Sequence, residues 1–198
     1  MLIKSLFSWH DVVASDVEIS EKVKMRLEKA RIQPVDKCMF KGGSPLVFND
    51  GCFDICLLLE VLEHVVEDPR YVMHEMHRIL SSQGFLYITT PNIAHVYNRF
   101  LLLMGRQPQL YLTGYKGTRG HFREWTMAEL VNLLQDSGFG IADRRYLDAV
   151  SSMGNVRERI PLRLSYYPYK ALVKIRPSFR SQIFVAAKTN GLPTDVID

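Results

Sequence analysis

Two neighbouring stretches, Phe48 to Val65 (FNDGCFDICLLLEVLEHV) and His74 to Asn92 (HEMHRILSSQGFLYITTPN), decide how this chain folds. Within the first, Phe53 to Leu59 (FDICLLL) is an apolar run of strand length that leaves no solvent face, which predicts a central strand. The turn-rich Pro45 to Gly51 (PLVFNDG) leads into it. Asp68 followed by Pro69 supplies an N-cap and a first-turn proline. Val72, Met73, Met76, Ile79 and Leu80 then recur at helical spacing, and Gly84 is placed to close that helix. Phe85 to Thr89 (FLYIT) reads as the next strand, ended by Pro91 and Asn92.

The same alternation extends outward. Upstream, Asp11 to Val17 (DVVASDV) reads as a short buried strand with Asp16 at its carboxyl edge. Ser20 opens a helix with Val23, Leu27 and Ala30 on one face and Glu21, Lys22, Lys24 and Glu28 on the other. Downstream, Thr126 and Glu129 form a capping-box pattern before Leu130, Val131, Leu133 and Leu134, with Gly138 as the terminator. Ile141 to Val150 and Ser181 to Ala187 are the last strands expected. Strands alternating with helices predict an α/β fold, a doubly wound and mostly parallel sheet with helices on both faces. Ligands of such sheets gather at the carboxyl ends of the strands. That rule selects Asp16, Glu60 through His64, and Pro91 with Asn92.

Composition bounds the rest. A chain of 198 residues, 47% hydrophobic and 23% charged, suits one domain over residues 1–198, with 151–180 read as an insertion between the last two strands. The net charge of +4 permits an anionic partner without demanding one. Yet between Val156 and Arg180 seven basic side chains (Arg157, Arg159, Arg163, Lys170, Lys174, Arg176 and Arg180) face one acid, Glu158, so the excess is local. Cys38, Cys52 and Cys56 lack the paired spacing of a zinc ribbon or a disulfide scaffold, and a reducing cytoplasmic setting is the simplest expectation. Ser8, His10 and Asp11 interrupt the apolar opening before a signal-peptide core forms, and no run approaches the ~18 apolar residues of a spanning helix.

The run FNDGCFDICLLLEVLEHV followed by HEMHRILSSQGFLYITTPN resembles the middle of class I S-adenosylmethionine-dependent methyltransferases, of the type 11 and type 12 kind that modify small molecules, lipids and glycans. NRFLLLMGRQP (98–108) and GHFREWTMAELVNLLQDSGF (120–139) look like the segment between that family's fifth and sixth strands, and SQIFVAAKT (181–189) like its closing strand. The resemblance implies a Rossmann-like fold and S-adenosylmethionine as cofactor. It implies that Asp16, with Val17, meets the cofactor's ribose, and that Leu59, Glu60 and Val61 pass its methionine part. By the same resemblance Glu63 and His64 stand at the mouth of the site, and the loop bearing His121 and Arg123 shapes the acceptor pocket. His64 suits general-base work because imidazole titrates near neutrality, with Glu60 as the second catalytic candidate. Asn92, His121 and Arg123 are the expected acceptor-binding residues.

In the family a glycine-rich turn lies about twenty residues before the acid matched by Asp16. Here Met1 to His10 reads as the tail of the helix after that turn, so the expectation is a chain lacking the first strand and the glycine loop. Lys41 stands where many relatives carry an acid for the adenine amino group. The expected activity is methyl transfer to a small-molecule, glycan or lipid-type acceptor, on oxygen first. The alternative is an inactive remnant acting as a binding or scaffold module, completed by a partner chain. Arg157 to Arg180, with Tyr166, Tyr167 and Tyr169, could rest on an anionic membrane, although a solvated connection is the plainer reading. Nucleic acid ranks last, since no aromatic-and-glycine recognition motif is present. His74, His77 and Glu75 read as surface residues of a helix, and no metal ligand set is assigned.

Overall fold

The computed structural model describes residues 11–16, 19–35, 45–108, 121–148 and 162–190, the last segment with side chains from 168 onward. Met1 to His10, Val17, Cys38, Lys41, Gly120, and the side chains of Arg157, Arg159, Arg163, Tyr166 and Tyr167 lie outside the described residues. The chain divides into two compact units, 1–48 and 49–198.

In the first unit, β1 (Val13–Ser15) pairs in parallel with β2 (Gln33–Val35), and α1 (Glu21–Lys29) connects them. This is a right-sized βαβ unit on the expected strand and helix. β2 was not legible: it is three residues long and holds Pro34, which cannot donate to a ladder. Arg31, with φ of 58°, turns the chain from α1 into β2, and Ile19, Ile32 and Leu46 are buried apolar residues of this unit.

The second unit is built on a four-stranded sheet in the order β3 (Phe53–Leu59), β4 (Leu80–Pro91), β6 (Gln182–Thr189), β5 (Phe139–Leu147). β3 and β4 are parallel, whereas β6 runs antiparallel to both β4 and β5, so three of the four strands share one direction. The chain is therefore a Rossmann-like mixed α/β protein with a mostly parallel sheet. The central pair is dry: Leu86, Ile88, Ile183 and Val185 are fully buried. α2 (Pro69–Ile79) and α4 (Met127–Asp136) supply Val72, Met73, Leu130 and Leu134 to the same core.

Local chemistry sets the helix ends. The Asp68 carboxylate accepts the Arg70 backbone N–H at 2.8 Å, ahead of Pro69 in the first turn. The Thr126–Glu129 capping box is formed in both directions, and such a cap contributes about 1 kcal/mol. Gly138 ends α4 with φ of 87°, a conformation that favours glycine.

Three expectations are corrected. α2 ends at Ile79 rather than at Gly84, because Leu80 is already extended and pairs with Phe53, and the strand then bulges before Phe85 meets Ile55. β3 is an edge strand of its sheet among the described residues, with Ile55, Leu57 and Leu59 exposed rather than enclosed on both faces. The connection between β5 and β6, read without secondary structure, carries the helix α5 (Leu162–Ile175), whose described residues are mostly exposed while Val173 is buried. The Tyr169 hydroxyl hydrogen-bonds Asp148 just after β5. Between β4 and the capping box lies α3 (Val96–Leu103), N-capped by His95. Among the described residues no helix is long and apolar enough to cross a membrane.

Candidate functional site

The carboxyl end of β3 turns sharply. Glu60 adopts φ of 55°, in the left-handed region, while its backbone N–H donates to the Thr89 carbonyl of β4 at 3.0 Å. Two neighbouring strands thus fix the turn, and a non-glycine residue held in this conformation marks a place where the fold tolerates strain. A 3-10 turn, Leu62–His64, follows. Leu62 is buried and anchors it, while Glu60, Val61 and His64 face solvent.

Glu63 is the unexpected member. Expected at the mouth of the site, it is only 1% exposed. Thr90, at the end of β4, donates its hydroxyl to Glu63 Oε2 at 3.1 Å, and Glu63 Oε1 stands 3.9 Å from His64 Nε2. Burial pushes the Glu63 carboxyl above the usual carboxylate range, against the opposing hydrogen bonds from the backbone and Thr90.

The backbone of Glu63 also recruits the distant loop. Its carbonyl accepts the Phe122 N–H at 2.8 Å and the Arg123 N–H at 3.4 Å. This clamp lays the His121 ring against the His64 ring, edge to face with centroids 5.0 Å apart. His121 Nδ1 lies 2.9 Å from Glu124 Oε1, and that hydrogen bond raises the imidazole pKa above its ordinary value. His95 is pushed down by burial, and its Nδ1 accepts the Tyr97 N–H at 3.3 Å.

The sequence-expected residues therefore fall into distinct groups. Leu59, Glu60, Val61, His64 and His121 are brought to one edge of the sheet. Arg123 is partly engaged elsewhere, stacking over Trp125 at 4.2 Å and donating to Glu129 at 3.1 Å. Asn92 is 1% exposed: its amide donates to the Ser178 and Arg180 carbonyls and its oxygen accepts the Ala94 N–H. Its side chain clips the end of β4 to the approach of β6. In the first unit, exposed Asp16 follows β1 and, with Ala14, Ser15, Ile19, Ser20, Val23 and Leu27, lines a cavity of about 280 Å³.

Glu63 as a buried anchor, Thr90 as its partner and Glu124 behind His121 were missed as a set. The usable signal for Glu124 was its place three residues after a histidine. Nothing in the spacing joined Glu63 to residues nearly sixty positions away.

Residues 4–88 match the family model described as a methyltransferase domain. No curated protein matches the chain in sequence. A methyltransferase structure from Methanosarcina mazei is 16% identical with a TM-score of 0.61, over 96% of this chain and 86% of that one. A complex of the Haloferax volcanii Trm112 methyltransferase activator with a methyltransferase gives 13% identity and a TM-score of 0.60, over 96% of this chain and 78% of that one. The Burkholderia thailandensis 1,6-didemethyltoxoflavin-N1-methyltransferase, solved with that small molecule and S-adenosylhomocysteine, is 16% identical with a TM-score of 0.59, over 96% of this chain and 66% of that one. At these identities the structures establish the shared fold alone. Residues 4–88 thus carry the methyltransferase-domain match, and the chain shares the Rossmann-like fold of these S-adenosylmethionine-dependent methyltransferase structures.

Proposed function

We propose that this protein transfers a methyl group from S-adenosylmethionine to a hydroxyl oxygen of a small-molecule, glycan or lipid-type acceptor. The observation that carries the reading is the polar edge at the end of β3, where Glu60 and His64 stand beside the loop bearing His121. Its support in the other unit is the Asp16 cavity, which offers a carboxylate together with the hydroxyl-bearing Ser15 and Ser20. A carboxylate can accept hydrogen bonds from both hydroxyls of a ribose, so the donor set suits the cofactor.

Asp16 holds the ribose in this reading, and the family resemblance carries Leu59, Glu60 and Val61 to the methionine part. S-adenosylmethionine supplies a methyl group on a positively charged sulfur, an activated carbon open to displacement. The protein's task is then alignment and proton removal. His121, oriented by Glu124, and His64 hold the acceptor oxygen, and Glu60 at the exposed rim takes up the proton it loses. The fixed turn at Glu60 keeps these groups in place before substrate arrives.

Incubation with methyl-labelled S-adenosylmethionine and separate pools of hydroxyl-bearing small molecules, glycans and lipids tests the reading. Label should pass to oxygen of one pool, with a fall in rate on the order of 10²-fold in Glu60→Gln. Label appearing solely on nitrogen or carbon would contradict the oxygen assignment.

A further inference from the structure

The buried Glu63 carboxylate and the two imidazoles beside it form more than an acceptor wall. One donor atom from each of Glu63, His64 and His121 lies within 4.8 Å of the other two. Such a spread is wider than a bound cation leaves: ligands about 2.1 Å from one ion sit roughly 3.4 Å apart. The contraction needed falls on His64, whose side chain is 40% exposed on a short 3-10 turn and has room to swing. Glu63 and His121 are held on the other side by the backbone clamp.

The surroundings have the form of a ligand shell. Thr90 takes Glu63 Oε2, so the oxygen nearer His64 Nε2 is Oε1. Glu124 takes the His121 Nδ1 proton, which puts the ring's lone pair on Nε2. A carboxylate behind a histidine is the usual outer partner of a metal-bound imidazole, fixing its tautomer and raising its basicity. A carboxylate enclosed at 1% exposure is costly to bury as an anion without a cation near it.

We infer that Glu63, His64 and His121 bind one divalent transition-metal cation, with Glu124 and Thr90 as the groups that orient the ligands. Two imidazoles and one carboxylate suit zinc, iron(II), cobalt(II) or manganese(II) better than magnesium or calcium, and they leave coordination positions open. What the cation does rests on the methyl-transfer reading: a hydroxyl oxygen joining it becomes more acidic, its proton passing to Glu60 or to water. The binding itself does not depend on that reading.

The probe is Co²⁺, added to untagged, chelator-stripped full-length protein whose fold is checked by near-ultraviolet circular dichroism. Visible d–d absorption should rise to saturation at one equivalent. His64→Ala should abolish it, and Glu124→Gln should weaken Co²⁺ binding about 10- to 100-fold. His74→Ala should leave it unchanged. Failure of the folded protein to give saturable Co²⁺ absorption overturns the inference, as does equal binding by the His64 variant. Calorimetry with S-adenosylmethionine on the same metal-free protein separates the two claims: cofactor binding without cobalt binding removes the cation and keeps the methyltransferase.

Discussion

Two clusters in this molecule carry the same residue types and do different things. His74, Glu75 and His77 lie within four positions on α2, while Glu63, His64, His121 and Glu124 come from two segments nearly sixty residues apart. In the helix the groups diverge. Glu75 accepts two hydrogen bonds from Arg78, each at 2.9 Å, and Arg78 reaches on to Asp50 at 2.6 Å. His77 packs its ring against Phe139, centroids 5.1 Å apart. At the sheet edge the groups converge, because one buried carbonyl of Glu63 draws the 121–123 loop against the 3-10 turn. Adjacency along a chain is thus no measure of a site. Convergence depends on where the backbone hydrogen bonds lead.

The largest expected effect breaks or upholds that contrast directly. His121→Ala should lower kcat/KM for methyl transfer by on the order of 10²- to 10⁴-fold, whereas His74→Ala should stay within about twofold. Similar losses in both variants would dissolve the distinction. Next in size is a stability effect with no catalytic counterpart. Glu75→Ala removes a nearly buried, bidentate partner of Arg78 and should cost about 1.5–3 kcal/mol in denaturant unfolding. A large fall in its turnover at a temperature where it stays folded would show that the helix cluster serves the site after all.

The smallest effect concerns pH. Burial holds the His77 pKa below its ordinary value, so the unfolded chain takes up the proton first as pH falls. This group's stabilisation is therefore complete above the unfolded-state histidine pKa, near 6.5, and declines as pH drops through it. His77→Gln should flatten the difference in unfolding free energy between pH 5 and pH 7 relative to wild type. An unchanged slope would mean that His77 does not contribute to the pH dependence, leaving His95, which burial also pushes down. His121, raised by Glu124, works in the opposite sense and stays in place in both proteins.

Much of the fold was legible because its signals are local. Asp68 with Pro69, the Thr126–Glu129 box and Gly138 each set a helix end through contacts spanning three residues or fewer. Phe53 to Leu59 is a strand over the expected residues. What escaped depends on distant partners. Gly84 did not end α2, because pairing of Leu80 with Phe53 pulled the chain into the sheet four residues earlier. The insertion of β6 between β4 and β5 reverses one strand without any mark in its own sequence.

The site divides in the same way. Glu60 and His64 were legible from their place after a strand. Glu63 was placed at the mouth of the site, yet its side chain turns inward to Thr90 beside the buried Leu62, between exposed Val61 and His64. Asn92 was chosen for a position that it does occupy, the end of β4, but three hydrogen bonds with backbone groups commit its side chain to the fold.

The central claim is that this chain holds S-adenosylmethionine, with Asp16 as an acceptor for the cofactor's ribose. Isothermal titration of residues 1–198 with S-adenosylhomocysteine tests it most directly. The account predicts saturable binding at one site, weakened about 10- to 100-fold by Asp16→Ala, the loss expected for hydrogen bonds to a charged acceptor. A folded protein that binds no cofactor, or an Asp16 variant that binds as tightly as wild type, would contradict it.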